Sequence, residues 1–133
     1  DMSYRLISTL YCTALEFSFP YLTDDQISAL KQLNADFTAA LKRRDSSEAH
    51  RLDRAFHSYF LLVRPNDFLA NFIDTLDCHV ERIETAYFNM PSGFRSESVS
   101  QHEQIISALE QKDLSGAIAA TKQNWMQTLD FLK

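Results

Sequence analysis

Glycine and proline are scarce in this chain, with two Gly and three Pro in 133 residues. Tight β-hairpins rely on glycine at their positive-φ positions, so the scarcity argues against hairpins and for long uninterrupted helices. Cysteine is equally sparse. Cys12 and Cys78 have no CxxC spacing and read as buried free thiols of a reducing compartment rather than as a disulfide. No apolar run approaches the ~18 residues of a membrane span, and no signal peptide is visible. A cytoplasmic protein without a membrane partner is therefore expected. A basic stripe is missing too. The net charge is −5, and the short run Lys42-Arg43-Arg44 reads as the solvated last turn of a helix, where cations suit the dipole. Direct nucleic-acid contact by this chain is not expected.

The rest of the composition belongs to an ordinary globular domain, with 45% hydrophobic and 23% charged residues and enough length for a real core. Six helical segments follow one another with short connections. The first runs from about Ser3 to Phe17, with Leu6, Leu10 and Ala14 on one stripe, and Pro20 closes it. Thr23-Asp24-Asp25-Gln26 is a capping box that opens the second, where Ile27, Leu30, Leu33, Phe37 and Leu41 recur at helical spacing. Asp45-Ser46-Ser47-Glu48 starts the third, which carries Leu52, Phe56, Tyr59, Phe60 and Val63 and ends at Pro65. The fourth starts near Asn66 and runs to about Phe88, with Phe68, Phe72, Leu76, Val80, Ile83 and Tyr87 as its apolar stripe, and Pro91-Ser92-Gly93 breaks it. The fifth begins between Ser96 and Ser100, with Ile105, Ile106 and Leu109 inward. The sixth follows Lys112-Asp113 and carries Ala117, Ile118, Thr121, Trp125, Leu129 and Leu132. The expected fold class is all-α, an antiparallel bundle of six or seven helices.

Two polar segments interrupt this apolar pattern. Asp53 and His57 lie one helical turn apart, so both side chains leave the same face of the third helix. A carboxylate and an imidazole in that geometry can share one divalent ion, and His102 would have to reach the same point from the fifth helix. Asp-x-x-x-His on its own also describes a plain surface pair worth a few tenths of a kcal/mol.

The stretch Leu52-Asp53-Arg54-Ala55-Phe56-His57, followed by Asn66, resembles the FCD domain. So does Ser98-Val99-Ser100-Gln101-His102-Glu103-Gln104-Ile105-Ile106-Ser107-Ala108-Leu109, followed by Asp113 and the alanine-rich Leu114-Ser115-Gly116-Ala117-Ile118-Ala119-Ala120. That domain is the C-terminal effector-sensing part of FadR-type transcription regulators in the GntR family. The likeness runs from about Tyr4 to Leu132. It implies a single sensing domain over residues 1–133, with the winged-helix DNA-binding domain outside this chain. It also implies a homodimer that meets DNA only through that missing domain, and a small organic acid as effector in the bundle cavity.

Metal-binding relatives use an Asp, a His one turn later, a His on the fifth helix and a His on the last. These map onto Asp53, His57, His102 and, in place of the last His, Asn124. An amide oxygen is a weaker donor than imidazole. The resemblance thus implies a divalent metal, Zn²⁺ or Ni²⁺, while a polar pocket without metal remains the other reading of the same residues. His50, one turn before Asp53, is a second candidate for the fourth position. Many relatives carry Arg and Glu where this chain has Ile7 and Tyr11, and Arg where it has His79. Tyr11 and His79 thus stand where relatives line the cavity, for an effector that needs less cationic recognition, and Arg82, three residues after His79, offers a guanidinium to an anionic ligand. These are the expected effector contacts, with a core or boundary position for His79 and solvated surface for Arg82 as the other readings. Trp125 reads as core or as a pocket wall. An enzyme is not expected: paired Glu-x-x-His motifs and a Ser or Cys nucleophile arrangement are both missing. A helical interaction module without a small ligand is the third reading.

Overall fold

The structure, a computed structural model, describes residues 2–88 and 95–131. The Pro91-Ser92-Gly93 break and Leu132 lie outside the described residues, as do the side chains of Tyr87 and Leu129. Among the described residues there are six α-helices and no strand: α1 Met2–Ser18, α2 Asp24–Lys42, α3 Ser46–Val63, α4 Asp67–Phe88, α5 Arg95–Glu110 and α6 Leu114–Phe131. A 3-10 turn over Phe19–Tyr21 follows α1. No helix among them is long and apolar enough to cross a membrane.

The helix starts follow local chemistry. The Thr23 side chain accepts from the Gln26 N–H while the Gln26 side chain accepts from the Thr23 N–H, so the expected capping box is formed. Asn66 caps α4 by accepting from the Leu69 N–H at 2.9 Å. The α2–α3 and α5–α6 corners share one design. Arg44 and Lys112 both take φ 59°, the left-handed conformation that glycine would usually supply at a helix end. The following N–H of Asp45 bonds back to Ala40 O at 3.0 Å, and that of Asp113 to Ala108 O at 2.8 Å. The same two aspartates then cap the next helices, accepting from Glu48 N at 3.1 Å and Gly116 N at 2.9 Å. These short corners turn the chain back on itself, so α2 packs on α3 and α5 on α6.

The two hairpins meet through α2 and α5, and α1 runs through the middle against α3, α4 and α6. The main core gathers Tyr4, Ile7, Tyr11, Leu15, Phe56, Val80, Ile105, Leu109 and Trp125, while Phe37, Ala40, Leu41, Ala49 and Leu52 form a smaller cluster between α2 and α3.

The apolar rows of α2, α3 and α5 face inward as their periodicity implies, and so do Leu10 and Ala14 of α1 and Leu76, Val80 and Ile83 of α4, but the first residues of the expected rows on these two helices give way to an adjacent row. On α4, Phe68 is 79% and Phe72 is 60% exposed, and the buried row is Leu69, Ile73 and Val80. On α1, Leu6 is 47% exposed and the buried row is Tyr4, Ile7, Tyr11 and Leu15. Both alternatives on each helix are adjacent rows of one amphipathic surface, and the spacing is satisfied by either. Cys12 is buried as expected, but Cys78 is exposed on α4. Both thiols are free, and burial pushes that of Cys12 up to about 11.

The choice of row on α4 has a direct consequence for stability. Ile73→Ala is expected to cost about 2–5 kcal/mol, as a buried large-to-small change does. Phe72→Ala should stay within about 1 kcal/mol of the parent, as exposed substitutions do. Urea unfolding of the two variants reads the difference, and equal losses would return Phe72 to the core.

Candidate metal centre

Three helices bring polar side chains to one buried point. Leu52, Phe56 and Phe60 pull one face of α3 into the core, and Asp53 and His57 flank that row. On α5, Ile105 and Leu109 draw His102 inward. On α6, the small Ala117 and Ala120 allow close approach, and Asn124 enters beside Trp125. Asp53, His57 and His102 are all buried, and one ligand atom from each lies within 4.8 Å of the others. The Asp53 Oδ1 atom is 3.0 Å from His102 Nε2 and 3.8 Å from His57 Nε2. His57 Nε2 is 2.7 Å from Asn124 Oδ1, and Asn124 Nδ2 donates to Gln101 Oε1 at 2.7 Å. The far side of His102 is held as well, with Nδ1 2.9 Å from Asn34 Oδ1.

Aromatic rings wall this cluster. Phe56 stacks on His102 at 4.1 Å between centroids, and Phe37 lies 5.1 Å away. Trp125 packs on His57 at 5.0 Å and on Tyr11 at 5.0 Å. Such a site disfavours charge unless charge is paired. Burial accordingly pushes His57 down to about 4, against the pull of the Asp53 carboxylate. Burial also pushes the Asp53 carboxyl up, but its contact with His102 and the neighbouring imidazoles more than offset that, so it titrates below the usual carboxylate range. At neutral pH His57 is thus a neutral imidazole and Asp53 a carboxylate, the protonation states a metal ion requires of its ligands.

One atom tests the fit of an ion directly. His102 is fully buried, and its Nε2 has no aligned hydrogen-bond partner. Asp53 Oδ1 is near enough at 3.0 Å but lies off the line a hydrogen bond needs. Two imidazole nitrogens and a carboxylate oxygen at this spacing suit one divalent ion with bonds of about 2 Å after a small adjustment. The residues fit a metal.

The other sequence-derived candidates fall in different places. Tyr11 is buried, with its ring centroid 6.2 Å from that of His57. Its hydroxyl is 3.3 Å from Ser58 Oγ, and burial raises its pKa. His79 and Arg82 are exposed on α4, and the structure does not bring them to the cluster. His50 is half-buried and lines an adjoining cleft of about 550 Å³ together with Tyr11, Arg54, Ser58 and Asp77. Arg54 bridges α3 to α4 across this cleft through an ion pair with Asp77. The sequence reading missed Arg54, Asn34 and Gln101. Asn34 did leave a signal, because it interrupts the apolar row between Leu30 and Phe37. Arg54 and Gln101 differ from surface residues only in adjoining Asp53 and His102.

With this geometry in place, comparison with known proteins is informative. The FCD domain model matches residues 3–125. A solved structure of E. coli McbR/YncC superposes with a TM-score of 0.89 at 18% identity, covering 99% of this chain and 66% of that one. At that identity the likeness concerns the fold. No curated protein matches the sequence.

The depressed His57 pKa sets a pH dependence for the metal-free protein. An unfolded histidine takes up its proton near 6.5, whereas His57 in the folded chain waits until about 4. Between those values the unfolded state binds more protons, so stability falls as pH drops through that window and is fully present above it. At about 1.4 kcal/mol per pKa unit, the loss should reach roughly 3 kcal/mol near the bottom. The Asp53 shift acts in the same direction at lower pH. Urea titrations of metal-free protein from pH 7.5 to about 4.5 should show this slope and find most of it gone in His57→Gln. An identical slope in the variant would mean that His57 is not held neutral.

Proposed function

The chain belongs to the FCD domain family, and on that premise we propose that it is the ligand-sensing domain of a GntR-type transcription regulator. Its effector is a small organic acid, bound within the helical bundle beside a divalent metal. The observation that carries this reading is the convergence of buried Asp53, His57 and His102 within 4.8 Å. Asn124 Oδ1 supplies the fourth donor, in contact with His57. An ion held there, Zn²⁺ or Ni²⁺, would supply a Lewis acid to which a chelating oxygen ligand could bind.

The chain's own residues suggest how binding becomes a signal. Arg54 on α3 is tied to Asp77 on α4 across the cleft that Tyr11 helps to line. A carboxylate entering that cleft competes with Asp77 for the guanidinium, which forms paired hydrogen bonds to carboxylates. Releasing Asp77 loosens α4 from α3, and a helix shift of this kind can re-aim an attached domain. His79 and Arg82 reach the effector only if α4 turns as it loosens. The regulator as a whole acts in the cytoplasm as a homodimer and touches DNA through a separate winged-helix domain. The partial coverage of McbR/YncC, 66% of that chain, is compatible with such a further domain.

Metal affinity, measured by competition with a chelating dye, tests the site. His57→Ala should abolish measurable Zn²⁺ and Ni²⁺ binding. Asn124→His should tighten it by about tenfold, since imidazole is the better donor for these ions. Unchanged affinity in His57→Ala would place any bound metal elsewhere. Thermal shifts across a panel of small carboxylates, with and without chelator, then separate a metal-dependent sensor from a metal-free pocket. A panel in which no carboxylate shifts the melt would favour a ligand-free interaction module.

A further inference from the structure

Asn34 lies in the apolar row of α2, one turn from Leu30 and one from Phe37, and is 5% exposed. An amide in such a row must find partners, and both of its ends do. Nδ2 donates to the Val99 carbonyl at 3.3 Å, and Oδ1 faces His102 Nδ1 at 2.9 Å. A carbonyl oxygen can only accept, so Val99 fixes which way the amide points. Oδ1 can also only accept, so the hydrogen of that second contact sits on His102 Nδ1. A neutral imidazole carries one hydrogen. In the neutral ring Nε2 then keeps its lone pair, 3.0 Å from the Asp53 carboxylate oxygen. Oδ1 lies off the line a hydrogen bond to Nε2 needs, so this contact does not place the ring hydrogen on Nε2. A cation between the two atoms is attracted to the lone pair and to the carboxylate alike. Phe56, stacked on the ring at 4.1 Å with planes 9° apart, keeps the imidazole in this plane.

His57 offers the contrast. Its Nε2 is engaged with Asn124 Oδ1 at 2.7 Å, a contact that needs a hydrogen on Nε2. His57 must move that hydrogen before it can ligate, whereas His102 is already set.

We propose that Asn34 is a positioning residue of the metal centre: it holds His102 with the hydrogen on Nδ1, so that Nε2 presents a lone pair to the ion beside Asp53. This assignment rests on the metal reading above for its purpose, but the tautomer can be read without any metal. Outer partners of this kind fix ligand orientation in metal sites, and their loss typically weakens binding by about 10- to 100-fold.

Two measurements on the full chain test it. Ring-nitrogen ¹H–¹⁵N correlation spectra of the metal-free protein at pH 8, above the ordinary imidazole range, should show His102 protonated on Nδ1. In Asn34→Leu, which keeps the volume but not the acceptor, the hydrogen should move to Nε2 and bond to Asp53. Zn²⁺ affinity by dye competition should fall by about 10- to 100-fold in Asn34→Leu and return to within about threefold of the parent in Asn34→Asp, whose carboxylate still accepts from Nδ1. If Asn34→Leu does not fold, the parent and Asn34→Asp carry the test. A hydrogen on Nδ1 in both, with affinity preserved, supports the proposal. A hydrogen on Nε2 in the parent overturns it, as do an unchanged tautomer and affinity in Asn34→Leu. If the tautomer moves as expected but the parent binds neither Zn²⁺ nor Ni²⁺, Asn34 sets the His102 tautomer, but its role at a metal centre falls together with the metal reading.

Discussion

A carboxylate between two imidazoles, deep among aromatic rings, is the constraint around which the bundle is arranged. An isolated charge in such surroundings is very costly, so Asp53 requires partners from other helices. His57 comes from its own helix, His102 from α5, and the contact of His57 with Asn124 brings in α6. Asn34 brings α2 to the same network from behind His102. Four helices are thereby held in one register by polar groups rather than by apolar packing alone. Buried networks of this type are sensitive to any unmet member, and His102 Nε2 is the member left open.

The helical corners make this convergence affordable in chain length. Arg44 and Lys112 accept left-handed backbone where glycine would be easier, at a cost of about 1–2 kcal/mol each. In return the aspartate that follows each of them closes one helix and opens the next within a single residue. Asp53 and His102 lie two to three turns from these corners, each on a hairpin whose geometry is fixed nearby. Short corners and capped starts leave the bundle little freedom to slide, which suits a site that needs donors placed to within a fraction of an ångström.

Rigidity at the cluster contrasts with the α3–α4 side. There the cleft is open, the ion pair of Arg54 and Asp77 lies in its lining, and α4 exposes Phe68 and Phe72 to solvent. A part-exposed ion pair contributes little to stability, so this is the side on which a modest ligand-binding energy can shift a helix.

The six helices, their caps and the pairing of Asp53 with His57 were legible in the residues alone, because each is a local property. Capping needs only a few neighbouring side chains, and side chains four apart on a helix share a face wherever the helix goes. The route to His102 and Asn124 was legible only through family likeness, since nothing local says that α5 and α6 meet α3. Rotation about the helix axis was decided by the tertiary structure. Leu69 and Ile73 were chosen over Phe68 and Phe72, and Ile7 over Leu6, by the surfaces that α1, α4 and α6 offer one another. The facing of Asn34 was decided in the same way, because an amide in an apolar row acquires a role only when another helix brings it a carbonyl and an imidazole. Spacing fixes angles within one helix, and only packing between helices fixes which of those angles points inward.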